Sequence, residues 1–195
     1  MKKSIILCFA LLSAILALSF ASCGGNDTPP PPKDHTLTDL SVFTANGGKF
    51  NGNVTIQNSL TGVPRENSAS VMFSRNGNDL SMLISPPNEL GLVTCSKFME
   101  SGDKSKIWFD ITAPIATFTG GDVPTYYKDW YNIYTVTKIN VKSYKFSDVK
   151  YDAASKILSF VCTATVDVFA KNNITGAEEI ASSPSVVYTF KNLKK

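Results

Sequence analysis

The densest chemical grouping in the chain is Tyr126-Tyr127-Lys128-Asp129-Trp130-Tyr131, with Asp122 before it and Tyr134 after it. Aromatic rings that carry a polar tip offer flat apolar faces beside hydrogen-bonding groups. Sugars match such a surface, because their C–H faces stack on rings while carboxylates and amides take their hydroxyls. Gly120, Gly121 and Pro124 put the first aromatics in a connection, where exposed binding residues concentrate. Asp122, Tyr126, Tyr127, Trp130, Tyr131 and Tyr134 are therefore the candidate ligand-binding residues. The competing reading is packing, since tyrosine and tryptophan also favour ordinary strands.

Catalytic chemistry is harder to assemble. The only histidine, His35, lies in a proline-rich stretch, so Ser-His-Asp and Cys-His sets and His-rich zinc sites find no histidine in the domain that follows. No glycine-rich phosphate loop precedes a helix. The sequence thus implies no catalytic residues, no cofactor and no metal. Glycoside hydrolysis needs only two carboxyl groups about 5 to 9.5 Å apart; Asp110 and Asp167 are the strand-borne candidates, each on a mixed polar face where a solvated acid is the commoner reading. The charge balance is 19 Lys and Arg against 16 Asp and Glu. It narrows further if Lys2 and Lys3 leave with a leader. Without a basic cluster, nucleic acid is excluded as a partner.

The N-terminus carries the most specific signal. Lys2 and Lys3 precede an apolar run from Ile5 to Phe20 and then small residues, the pattern of a secretory signal. The run is shorter than the roughly 20 residues that a spanning helix needs. Phe20-Ala21-Ser22-Cys23 resembles the lipobox of bacterial lipoproteins, which implies acylation of Cys23 and outer-membrane attachment, facing the periplasm or the cell surface. Residues 24–36 read GGNDTPPPPKDHT, and Pro29 to Pro32 favour an extended conformation without ladder hydrogen bonds. At about 3 Å per residue this tether reaches about 40 Å. It resembles the post-cysteine linkers of Bacteroidetes lipoproteins. Residues 1–22 are thus read as signal peptide, 23–36 as lipidated cysteine and tether, and 37–195 as one antiparallel β domain. Export permits disulfides, and Cys95 and Cys162 are the pair available in the domain; two buried thiols are the alternative.

These side chains must be positioned by strands. In residues 156–169, Leu158, Phe160, Cys162, Ala164, Val166 and Val168 alternate with Ser159, Thr163, Thr165 and Asp167. Alternation at period two puts one face on a core, and the rest of the chain is fitted to this run. Before it, residues 37–44 form a short strand or a single helical turn with Asp39 as a cap, and Asn46-Gly47-Gly48 forms a turn. Residues 49–57 are extended, with Gly52 marking a bulge or a close backbone approach. Residues 59–68 read as loop. Residues 70–75 and 80–85 flank Asn76-Gly77-Asn78-Asp79, a hairpin signal. Residues 92–99 and 106–112 pair next, with Ile107, Phe109 and Ile111 on one face. Residues 131–149 hold one or two strands whose alternation slips near Ser143, as at a bulge. Residues 171–184 read as a long loop, and 185–193 as the last strand.

Eight to ten strands joined by hairpins predict an all-β fold, an antiparallel β-barrel, with a two-sheet β-sandwich as the alternative. From Phe50-Asn51-Gly52 through successive hairpins to the last strand, the chain resembles calycin-type (lipocalin-like) barrels found among Bacteroidetes lipoproteins. The Gly-x-Trp opening motif of true lipocalins is absent. The expected role is a non-enzymatic, lipid-anchored envelope domain that binds a glycan, a small apolar molecule or an envelope protein. The alternatives are a structural assembly subunit that pairs through sheet edges and a small glycan-acting hydrolase.

Overall fold

The computed structural model describes residues 31–60, 62–77, 79–86, 90–130 and 134–195, and for Trp130, Glu179 and Ile180 the backbone only. The expected signal peptide and Cys23 lie outside the described residues. The strands are β1 (His35–Thr36), β2 (Lys49–Asn58), β3 (Arg65–Asn76), β4 (Asp79–Ser85), β5 (Leu92–Glu100) and β6 (Lys106–Thr112). Then follow β7 (Thr117–Thr119), β8 (Tyr134–Asp152), β9 (Ile157–Asn172), β10 (Glu178–Ser182) and β11 (Ser185–Lys194).

All eleven belong to one sheet. Pairing runs β9-β11-β2-β3-β4-β5-β6-β8, and β8 pairs β9 again, so hydrogen bonds close a ring of eight antiparallel strands. The fold is all-β, as the sequence predicts. It closes on itself rather than splitting into two sheets. Three short strands decorate the ring. β10 and β11 share one edge of β9 on either side of Pro184, which cannot donate to a ladder. β6 and β7 likewise share one edge of β8. β1 adds to β5, with His35 opposite Glu100.

The predicted inward phase of β9 is realised: Phe160, Cys162, Ala164 and Val166 are buried, whereas Thr163 and Thr165 are half-buried on the other face. Phe160 stacks on Phe190 of β11 with ring centroids 4.3 Å apart. One end of the ring is plugged by a single helical turn, Ser41–Thr44, the second of the two forms expected there. The Asp39 carboxylate accepts from the Ser41 N–H at 2.9 Å, and that bond holds its carboxyl below the usual range. Phe43, fully buried, sits among Phe73, Phe98, Phe109 and Tyr151 at centroid distances of 5.0 to 5.5 Å. The chain then turns through Asn46, Gly47 and Gly48, all at positive φ. A Cβ on Gly48 would lie 2.5 Å from the Phe73 carbonyl oxygen, so the plug sits against β3 only with glycine there.

Register shifts coincide with non-glycine residues at positive φ: Lys97 in β5, Asp148 in β8 and Asn192 in β11. These are bulges, and each sharpens the local twist. The Asn192 bulge explains Gly52: a Cβ there would lie 2.8 Å from the Asn192 carbonyl oxygen. The close approach expected at Gly52 is therefore real. The slip read near Ser143 is also a bulge, between Val141 and Ser143, inside one continuous β8.

Three expectations need correction. Residues 65–68 are not loop but the start of β3; Glu66, Asn67 and Ser68 are all exposed, so no apolar phase reveals a strand held by its backbone ladder to β2. Residues 178–182 are not loop but β10, paired to β9 from Glu178↔Lys171 onward. His35 does not hang free in a tether: its Nε2 lies 3.1 Å from the Glu100 carboxylate.

Candidate functional site

The other end of the ring is closed by the segment in which the sequence placed its aromatics. β7 leads into a tight turn at Gly120–Asp122 and then into a six-residue helix, Thr125–Trp130. Pro124 directly before it has a φ already suited to a helix start, and its carbonyl accepts from the Tyr127 N–H at 3.1 Å. A helix this short is not stable alone and is held by its buried face. Val123, Tyr126 and Tyr127 supply that face, at 2, 9 and 1 % exposure. The Tyr126 and Tyr127 ring centroids lie 4.9 Å apart, and the Tyr126 and Tyr188 hydroxyls meet at 3.2 Å. Outside, Arg65 pairs with Asp129 at 2.6 Å and ties the helix to the start of β3.

Beside this cap lies a cleft of about 740 Å³. Its apolar walls come from Phe118, Tyr126 and Pro86; its polar groups are Asp122, Asn67 and Thr125. The volume falls in the range of small-ligand sites, which combine apolar walls with a few orienting polar groups. Ile56 lines the cleft, and Asn58 follows it in the same inward phase of β2. Asn58 is fully buried; its Oδ1 accepts from the Leu60 N–H at 2.7 Å, while its Nδ2 has no protein acceptor among the described residues. A buried amide donor in that position favours a partner oxygen.

The predicted ligand residues therefore divide. Asp122 and Tyr126 line the cleft. Tyr127 does not: it is packed beneath the cap, which is the packing reading. Tyr134 borders a separate depression of about 470 Å³ with Lys128 and Thr137. Tyr131 and the Trp130 side chain lie outside the described residues. Sequence reasoning missed Phe118, Asn67 and Thr125, each isolated in a polar or irregular stretch, although the Gly- and Pro-rich setting of Phe118 marked the region.

The other candidates are placed elsewhere. Asp110 on β6 is exposed and pairs with Lys97 at 2.8 Å. Asp167 pairs with Lys142 at 2.8 Å and accepts from Ser183 Oγ at 2.8 Å. Those two bonds, the Lys142 bond first, hold the Asp167 carboxyl below its ordinary range. Cys95 and Cys162 are not joined in a disulfide; both are buried, and burial pushes the Cys95 thiol up to about 12. Among the described residues no three His, Cys, Asp or Glu side chains group to hold a metal. A further depression of about 480 Å³ lies over the outer side of β8, β9 and β11, with Asp148, Lys150, Ser159 and Lys191 at its rim. One of its carboxylates is committed, because Asp152 caps the β8–β9 turn by accepting from the Ser155 N–H at 2.7 Å.

Comparison of the chain with protein-family models, curated proteins and solved structures returns no match.

Proposed function

We propose that this chain is a lipid-anchored envelope protein whose β domain binds, without catalysis, a hydroxyl-rich ligand of the glycan class at its helix-capped mouth. The observation that carries this reading is the cleft of about 740 Å³, where the Phe118 and Tyr126 rings stand beside Asp122, Asn67 and Thr125. Rings for stacking and oxygens or amides for hydroxyls are what a saccharide needs. A small apolar ligand has less support, since Phe43, Phe160, Tyr188 and Phe190 fill the ring. Hydrolysis has less support too: Asp110 and Asp167 are both committed to lysines, and a general acid needs a raised carboxyl pKa, whereas that of Asp167 is lowered. The eight-strand ring is consistent with the lipocalin-like resemblance.

Titration of the purified chain against an array of neutral and acidic oligosaccharides tests the cleft. Phe118→Ala should weaken binding about tenfold or more, because ring stacking is lost; the half-buried ring also packs against the core, so the variant is compared at a temperature where its melt shows it folded. No binding on the array, or equal binding by the variant, would overturn this reading.

Attachment is tested separately. The Phe20-Ala21-Ser22-Cys23 stretch motivates it, and acyl chains contribute about 0.8 kcal/mol per buried methylene. Cys23→Ala should move the protein from the membrane fraction to the soluble one without unfolding it. Retention of that variant in membranes at wild-type level would refute the anchor.

A further inference from the structure

The lysines are scattered in sequence but not in space. At the plugged end of the ring, β2 begins, β11 ends and β8 turns into β9. Lys194 pairs there with both Asn51 of β2 and Ile157 of β9. Lys150 and Lys191 stand at the rim of the depression of about 480 Å³ on the outer side of these strands. Lys195 Nζ donates to the Val42 carbonyl of the plug at 2.7 Å and lies 5.6 Å from the Phe50 ring centroid. Burial, and then the neighbouring charge of Lys156, holds the Lys195 ammonium below its ordinary range. Lys49 directly precedes Phe50 at the start of β2. All six lysines are exposed, and none forms a salt bridge among the described residues.

The acids at this end do not cancel them. The carboxylates on the same segments are Asp39, Asp148 and Asp152, which leaves an excess of three positive charges. Asp39 and Asp152 are also spent locally, on the N–H groups of Ser41 and Ser155. The adjoining turns are balanced, Arg75 with Asp79, and Lys104 and Lys106 with Glu100 and Asp103. The whole chain sets 19 Lys and Arg against 16 Asp and Glu, so this one end holds as large an excess as the entire protein. An independent feature brings a membrane to the same end. The chain enters the domain there: the Pro32 carbonyl lies directly against Gly102, where a Cβ would collide with it, and the Asp34 carboxylate accepts from the Gly102 N–H at 3.2 Å. That turn meets the β8–β9 turn, where the Ala153 N–H donates to the Ser105 carbonyl at 2.9 Å. From Cys23 to Pro32, a proline-rich chain at about 3 Å per residue reaches about 30 Å at most.

We propose, resting on the lipid anchor proposed above, that the plugged end is a membrane-facing surface whose lysines lie against anionic phospholipid headgroups. The depression between Lys150 and Lys191 is then the seat of one headgroup phosphate. A basic side chain within a Debye length of an anionic surface strengthens binding about fivefold. Ammonium groups on flexible stems suit a headgroup layer, which has no fixed geometry to match. An acyl anchor and a polybasic patch act together as two membrane signals. An acidic protein would answer the same charge, but only the bilayer is brought to this end by the chain itself. The domain thus stands on its plugged end, and the mouth cleft points away from the bilayer.

The test mixes the full chain carrying Cys23→Ala with vesicles of phosphatidylcholine, alone or with about one-third phosphatidylglycerol. Acyl chains then contribute nothing, so failure of the anchor and failure of this surface are read separately. The protein should sediment with the phosphatidylglycerol vesicles about tenfold or more tightly than with the others, and added salt should erase the difference. Joint Lys191→Glu and Lys194→Glu substitution should weaken that binding about tenfold or more. Joint Lys128→Glu and Lys171→Glu substitution, at the mouth end, changes the net charge equally and should leave binding within about threefold. Both pairs should keep the wild-type melting midpoint, because all four side chains are exposed. Equal binding to the two vesicles, or equal losses in the two pairs, would overturn the proposal. So would displacement by inorganic phosphate beyond that by sodium chloride at the same ionic strength, which would make the depression a free-ion site. Tighter binding to polyglutamate than to the vesicles would overturn it as well and assign the surface to an acidic protein.

Discussion

Phe160→Ala is expected to lower the stability of the domain by about 3 to 5 kcal/mol and its melting midpoint by about 10 °C or more. The side chain is 1 % exposed, lies near the start of β9, and stacks on Phe190 at 4.3 Å. β9 is the strand on which three others depend, since β8, β10 and β11 all pair with it. Truncation removes the apolar burial of the ring and leaves a cavity that flanking ladders resist closing. Thr163→Ala and Thr165→Ala, on the half-exposed face, should shift the denaturant midpoint far less. Equal losses on both faces would show that the outer face of β9 is covered as tightly as the inner.

The parts of the fold that could be read in the sequence are those where burial is one-sided. β9 is written as an alternation because Phe160, Cys162, Ala164 and Val166 face the core while Thr163 and Thr165 face outward. The Asn76–Asp79 hairpin could be read because β3 and β4 meet at Asn76↔Asp79, a tight turn in which Gly77 takes positive φ. The beginning of β3 could not be read. Glu66, Asn67 and Ser68 bury neither face, so ladder bonds to β2 alone make that stretch a strand. β10 was missed as a short strand beyond a turn that Asn172 closes through its own side chain. The cap helix hid for a different reason. Six residues contain too few turns to show a period, and the tyrosines that bury it are strand formers by propensity.

The site was legible in location rather than in roles. Glycine and proline marked residues 120–124 as a connection, and Asp122 and Tyr126 do line the cleft. The sequence cannot say which of two adjacent tyrosines turns inward, because a helical turn and an extended loop distribute them differently. Nor could it show that Asn67 and Pro86, on the distant β3–β4 pair, complete the wall. That depends on ring closure bringing the ends of β3 and β4 to β7.

Tyr127→Ala should therefore behave as a core substitution, with a loss of about 3 to 5 kcal/mol, and not as the loss of a ligand contact. Tyr127 is 1 % exposed, its ring lies against Tyr126, and its N–H closes the first turn onto Pro124. The helix has six residues, too few to persist without that buried face. Removing the ring should release the cap, lower the melting midpoint by about 10 °C or more, and weaken any ligand that contacts Tyr126 or Asp122. Asp122→Ala gives the contrast. The side chain is exposed at the cleft rim, so the midpoint should stay within about 3 °C while oligosaccharide binding falls. If Tyr127→Ala instead melts with the wild type and loses only ligand, the tyrosine is a contact residue. The packing of the cap would then be wrong, and the aromatic cluster would be a binding platform in its entirety. If both variants melt with the wild type and bind as it does, the mouth is not the site.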